Sequence, residues 1–259
     1  LHNFRKSLTL WDSTAIVAGS MIGSGIFIVS ADIARQVGSP GWLLMVWILT
    51  GIMTIFAAVS YGELASMMPR AGGIYVYLRE AYSPMVGFLY GWSLFLVIQT
   101  GTIAAVAMAF AKYAGVLYPW ISESNILLHV GPLRITTTQL VAVLSIIILT
   151  YINSRGIEEG KNVQNLFTYA KIFILIVFIG IGLMYADFSN FSNFWAASQW
   201  KNGQQVEISG IALITAIGVA MVGSLFSSDA WYDITYTSAE VKKPKKTIAR
   251  SLILGTTLV

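Results

Sequence analysis

The 259-residue sequence has no cysteine, two histidines and few charged side chains, 11% in all. The absent cysteine excludes disulfides and thiolate metal ligation within it. His2 and His129 fall in a terminus and a loop and define no metal site. No nucleophile, base and orienting group occur in a recognisable arrangement, so the chain reads as no enzyme and implies no cofactor. The shortage of charge is the most informative. Soluble domains average about 25% charged residues, whereas this chain is 56% hydrophobic with a mean hydropathy of +0.71. It reads as an integral membrane protein.

Apolar sequence is abundant, in runs long enough to cross the roughly 30 Å hydrocarbon core of a bilayer. The runs are continuous rather than alternating, which favours helices over a membrane barrel. The fold class is therefore all-α and polytopic. Seven segments are expected, at about 10–36, 42–68, 84–115, 135–153, 162–186, 208–240 and 248 to the end. The last is too short to reach the far side, so the sequence reads as a piece of a longer chain. With the N-terminus inside, Arg5, Lys6, Arg70, Arg79, Arg155, Lys161, Lys242, Lys243, Lys245, Lys246 and Arg250 gather on the inner side, against Arg35, Lys112, Arg134 and Lys201 outside. That distribution follows the positive-inside rule and gives a cytoplasmic N-terminus, with the plasma (inner) membrane as the expected location. It also accounts for the net charge of +4 without nucleic acid. The lysines between Lys242 and Lys246 read as a topology anchor, with contact to anionic membrane lipid as the alternative.

Two stretches interrupt this pattern. "GSMIGSGIF", Gly19 to Phe27, puts three glycines near the middle of the first segment, where each costs a helix roughly 1 kcal/mol relative to alanine. Small residues at this spacing also let helices pack closely in lipid. A phosphate loop is disfavoured, because its pattern needs a lysine that this stretch lacks. "GSLFSSDAW", Gly223 to Trp231, aligns with it without gaps in the sixth segment, matching glycine and both serines. Corresponding interrupted helices in two halves of a chain point to a transporter's binding site. Unwinding exposes backbone N–H groups at the start of one half-helix and C=O groups at the end of the other. Amides of Ser24, Gly25 and Ile26 suit a carboxylate, and carbonyls of Met21 and Phe226 suit an ammonium, so the expected ligand is a zwitterion. The neighbouring Met21, Ile22, Gly23, Ser227 and Trp231 bring no fixed charge, which favours a neutral one.

These motifs, with "PRAGGIYVYLREAYSPMVGFLYGW" (Pro69 to Trp92), "VQNLFTYAKIF" (Val163 to Phe173) and "FSSDAWYDITYTSAEVKKPKKTIARS" (Phe226 to Ser251), resemble the amino acid–polyamine–organocation transporters, most of all the L-type amino-acid transporter branch. The resemblance implies a leucine-transporter-like fold with two inverted repeats of five helices. The first repeat would occupy 1–186, with helix 1 broken near 21–25. The second would begin in 208–259, with helix 6 broken near 227–230 and helix 7 cut short. It further implies that Ser24 and Gly25 bind a substrate α-carboxylate, that carbonyls near Met21, Phe226 and Asp229 bind the α-amino group, that Phe226 closes as a gate and that Trp231 lines the pocket. Two departures stand out: Asp229-Ala230 precedes the tryptophan where the family has a glycine-containing pair, and Ile74 replaces the acidic residue of an inner-loop Gly-Gly-Glu-Tyr. Animal members link a heavy chain through a loop cysteine, and with no cysteine here no covalent heavy chain is expected.

Lys171 lies about ten residues into its span, roughly 15 Å deep, where lysine costs on the order of 3 kcal/mol and marks function by default. The matching lysine in the resembled family stands where sodium-coupled relatives bind a cation, so Lys171 is expected to replace sodium and tether the carbonyl side of Gly19 to Gly23. Asp229 reads either as an amine partner or as a cap on the second half-helix. Gln99 and Thr102 suit a pocket lining or helix packing equally. The expected function is a permease moving small or neutral L-amino acids by alternating access, as a sodium-independent exchanger or a proton-coupled carrier. A membrane receptor or channel using the same broken helices is the alternative.

Overall fold

A computed structural model describes residues 6–23, 25–130, 133–185, 193–201 and 204–259. The chain divides into two compact units, Leu1–Val76 with Asn162–Val259, and Tyr77–Lys161. Both are mainly helical.

In the first unit, α1 (Leu10–Met21) and α2 (Gly25–Val37) form a pair inclined at 42°. They are followed by α3 (Pro40–Met67), which Ser39 caps and Pro40 opens, and by the first turn of α4 (Ile74–Ala81). After most of α8 (Ile157–Met184) come the hairpin β3 (Ser198–Lys201) and β4 (Gln204–Glu207), then α9 (Gly210–Ser227) and α10 (Pro244–Leu258). Ile33 and Val37 of α2, Val46 of α3 and Ala220 of α9 form one buried cluster. Glycines bring α10 close to its neighbours. A Cβ on Gly62 would stand 3.2 Å from the backbone of Ala249, and one on Gly255 would stand 2.4 Å from the side chain of Val17. Such small-residue contacts drive helix association in lipid, where no hydrophobic effect separates helix from solvent.

The second unit holds the rest of α4, α5 (Pro84–Ser93), α6 (Thr100–Leu117), the hairpin β1 (Ile126–Val130) and β2 (Leu133–Thr136), and α7 (Thr137–Ser154). Thr136 and Gln139 form a capping box that starts α7. Ala107 and Ala111 of α6 pack on Ala142 of α7.

Among the described residues five helices are long and apolar enough to cross a membrane, or six with α1 and α2 counted as one bent span. Their large apolar side chains point outward, Phe95 and Phe178 among them. That is the inverse of a soluble core and the arrangement a lipid solvent selects.

Several details differ from the expectation. The loop opened by Tyr118 to Trp120 continues into an antiparallel hairpin, with Leu128 opposite Ile135 and His129 opposite Arg134. Leu94–Gln99 is a π-helical turn, whose loosened carbonyls at Phe95 and Leu96 accept from the Thr100 hydroxyl at 2.9 and 2.7 Å. The sixth segment does not resume as an α-helix. After Ser227 it runs through 3₁₀ turns at Trp231–Thr235 and Ser238–Glu240.

Candidate functional site

α1 is fixed at its start by a capping box. Asp12 accepts from the Thr9 amide at 3.0 Å and the Thr9 hydroxyl at 2.7 Å, while its own amide donates to Thr9 Oγ1. At the other end the helical ladder stops abruptly. Ile22 N still donates to Ala18 O at 2.9 Å, but Gly23 N turns back to Met21 O at 2.9 Å. The Gly19 carbonyl thereby loses the amide a continuous helix would supply four residues on. Lys171 Nζ donates to it instead, at 3.0 Å. The structure thus brings Lys171 onto the end of α1, and a buried carbonyl that would otherwise be an orphan is satisfied.

α2 begins at Gly25, and its first amides lack intrahelical acceptors as at any helix start. Ser24, expected to hold a carboxylate, lies outside the described residues. The break in α9 stands directly against this one. A Cβ on Gly25 would lie 2.8 Å from Ser227 Oγ and 3.2 Å from Ser227 Cα, so glycine is what permits the approach. Beyond Ser227, Ser228 N donates to Ser224 O and Asp229 N to Phe226 O. The next residue, Ala230, takes a left-handed backbone at φ 65°. An alanine in the left-handed region costs roughly 1–2 kcal/mol that glycine would avoid.

The expected site residues divide into groups. Met21 and Ile22 are buried, and Gly23 faces open space with nothing within 4 Å of an added Cβ. Trp231 is buried edge-on to Tyr61 of α3, with ring centroids 5.0 Å apart. Phe226 points outward and is 80% exposed. Asp229 is exposed as well and does not cap the following turn, whose N-cap is Ala230 without a side-chain bond. Gln99 closes the π-helical turn and Thr102 is exposed on α6, both in the second unit.

A cavity of about 220 Å³ opens beside the two breaks. Met21, Ile26 and Ser227 line it, together with Ser30, Trp47, Gly51, Thr54, Ser228, Thr256 and Val259. Among the described residues no charged side chain does. The α3 wall was missed by the sequence reading, although Trp47, Gly51 and Thr54 recur at i, i+4 and i+7 and place small and hydroxyl groups on one face of an apolar span. Hydroxyls also join α3 to α9 across a 2.6 Å contact between buried Thr50 and Ser224. Among the described residues no cluster of metal-ligating side chains occurs.

Fold and site define a helical membrane protein with two interrupted helices meeting at one point. The chain belongs to the amino acid permease family, whose pattern matches residues 8–259. It is similar to amino acid transporters of the L-type branch, and not to enzymes. The mouse b(0,+)-type amino acid transporter 1 is 27% identical over 258 residues, 99% of this chain and 49% of that protein. The mouse large neutral amino acids transporter small subunit 2 is 29% identical over 262 residues, 98% of this chain and 45% of its own length. The human Asc-type amino acid transporter 1 is 27% identical over 255 residues, 98% of this chain and 46% of that protein. The chain therefore spans about half the length of these relatives.

Proposed function

We infer that this chain carries the substrate-binding repeat and the start of its partner in a permease for small or neutral L-amino acids. The observation that carries the reading is the meeting of the two breaks, Gly25 against Ser227, beside a cavity without charged side chains. Amides at Ser24, Gly25 and Ile26 receive the α-carboxylate, and carbonyls at Met21, Phe226 and Asp229 receive the α-ammonium. A zwitterion fits this pairing because each half-helix end presents partial charge of the required sign. In this reading Phe226, which points outward beside the break and lies outside the cavity lining, turns inward over the ligand as a gate, and Trp231, buried against Tyr61, backs the pocket. The name of one relative, large neutral amino acids transporter, agrees with a neutral substrate.

Lys171 takes the part of a bound cation. Its ammonium on Gly19 O fixes the carbonyl end of α1 without sodium, which makes the protein a sodium-independent exchanger or a proton-coupled carrier. The N-terminus lies on the cytoplasmic side of the plasma membrane. The full-length protein in liposomes preloaded with unlabelled neutral amino acid is expected to accelerate uptake of labelled amino acid, with no sodium gradient. Lys171→Ala is expected to lower that exchange by about tenfold or more at unchanged expression. Dissipative flux without counterflow, or binding without flux, would instead identify a channel or a receptor.

A further inference from the structure

Among the described residues, Lys171 makes the uppermost of a series of polar contacts between α8 and α1. One helical turn below it, the Thr168 hydroxyl is shared between Gln164 O of its own helix, at 2.8 Å, and Ala15 O across the interface, at 3.3 Å. Lower again, Asn165 Nδ2 donates to Asp12 Oδ1 at 3.1 Å, onto the carboxylate that also caps α1. Residues 165, 168 and 171 form one stripe of α8, and 12, 15 and 19 form one stripe of α1. Gly19 closes the gap, since a Cβ there would stand 2.1 Å from Thr168 Oγ1.

The two halves of the broken helix are held differently. α2 packs on α9 and α3 through the apolar cluster of Ile33, Val37, Val46 and Ala220. α1 packs on α10, but what ties it to α8 is this ladder of hydrogen bonds. At this interface Asn165 Oδ1 is buried with no partner among the described residues. Buried polar atoms left unpaired weaken an interface that apolar side chains would seal. A contact of this kind can be given up and remade, because its loss leaves polar groups that water can take over.

We propose that Asn165 and Thr168 are positioning residues, the lower rungs of a polar ladder by which α8 sets how far α1 swings from it during exchange. The inference rests on the permease reading above. Asn165 lies about 9 Å along α8 from Lys171, too far to touch a ligand at the break, so it acts through α1.

Asn165→Asp sets two carboxylates against each other and is expected to slow exchange by the full-length protein about fivefold or more. Asp12→Asn combined with Asn165→Asp swaps donor and acceptor, and is expected to restore the rate to within about twofold. Thr168→Val keeps the shape and loses the hydroxyl, so it should change the maximal rate while KM moves less than about twofold. Spin labels on Trp11→Cys and Leu166→Cys, both sites being exposed, read the ladder without any transport. Their distance distribution should be narrow in the parent, broad with Asn165→Asp and narrow again in the swapped pair. Unchanged distances in Asn165→Asp and Thr168→Val, or a swapped pair as broad as Asn165→Asp, would overturn the ladder. Failure of the parent protein to exchange amino acids, with the distances behaving as stated, would overturn the permease reading alone.

Discussion

A methyl group on residue 25 would meet Ser227 at three atoms, Oγ at 2.8 Å, Cβ at 3.0 Å and Cα at 3.2 Å, while one on residue 23 would meet nothing within 4 Å. The two glycines therefore serve different ends, although each interrupts the same helix. Gly25→Ala keeps its amide but overpacks the junction, which should cost about 1–3 kcal/mol of stability and weaken amino-acid binding. Adding Ser227→Gly removes the two nearest of those contacts and should return most of both losses. Gly23→Ala should leave the thermal midpoint nearly unchanged, since its Cβ enters open space, yet reduce affinity where that space holds ligand. Thermal unfolding and amino-acid binding measured side by side on the three variants check this. Binding that follows stability in every variant would leave packing as the only part these glycines play.

Helix by helix, legibility followed the strength of local signals. Glycine density marks the first break, and the chain leaves the α-helix at Ile22 and Gly23, inside the Gly19 to Gly25 stretch that carries the signal. The sixth helix is harder to read, because hydroxyl side chains compete with the backbone in ways apolar periodicity does not register. Thr235 donates to Tyr232 O at 2.7 Å and Ser238 to Thr235 O at 2.6 Å, and both bonds favour 3₁₀ turns over a resumed α-helix. The cavity wall on α3 lay hidden for another reason: an apolar span gives no hint of which face meets a neighbour until the neighbour is placed. The hairpin strands flank Gly131 and Pro132, a turn signal that the polar loop reading passed over. At the α9 junction, Ala230 is held at φ 65°. Ala230→Gly should stabilise the protein by about 1 kcal/mol, relief of the left-handed strain exceeding the added entropy of the unfolded chain. Ala230→Val should do the opposite and by more. Unfolding midpoints of the two variants test the sign, and a destabilised glycine variant would mean that the Ala230 methyl contributes packing that outweighs its strain.

At the scale of the first unit, segments assigned to one side by charge alone also meet in space. Leu8 pairs with Val241, Lys242 N donates to Leu8 O at 2.8 Å, and Gly72 N donates to Tyr236 O at 3.2 Å. The N-terminal arm, the Arg70 turn and the lysine-rich stretch before α10 thus form one end. At the other end Gly41 N donates to Phe194 O, Trp42 Nε1 to Trp195 O and Gln199 Nε2 to Gln36 O, joining the α2–α3 turn to the β3–β4 hairpin and the residues just before it. Arg35 and Lys201 belong to these outer segments. Two sets of contacts, each internally consistent in assigned side, are what a membrane lying between them requires, and in the orientation proposed above the first end, richer in lysine and arginine, is the cytoplasmic one. A membrane-impermeant thiol reagent applied to intact cells should therefore label Gln204→Cys at once, and Lys243→Cys only after the membrane is opened. Labelling of Lys243→Cys from outside would overturn this orientation.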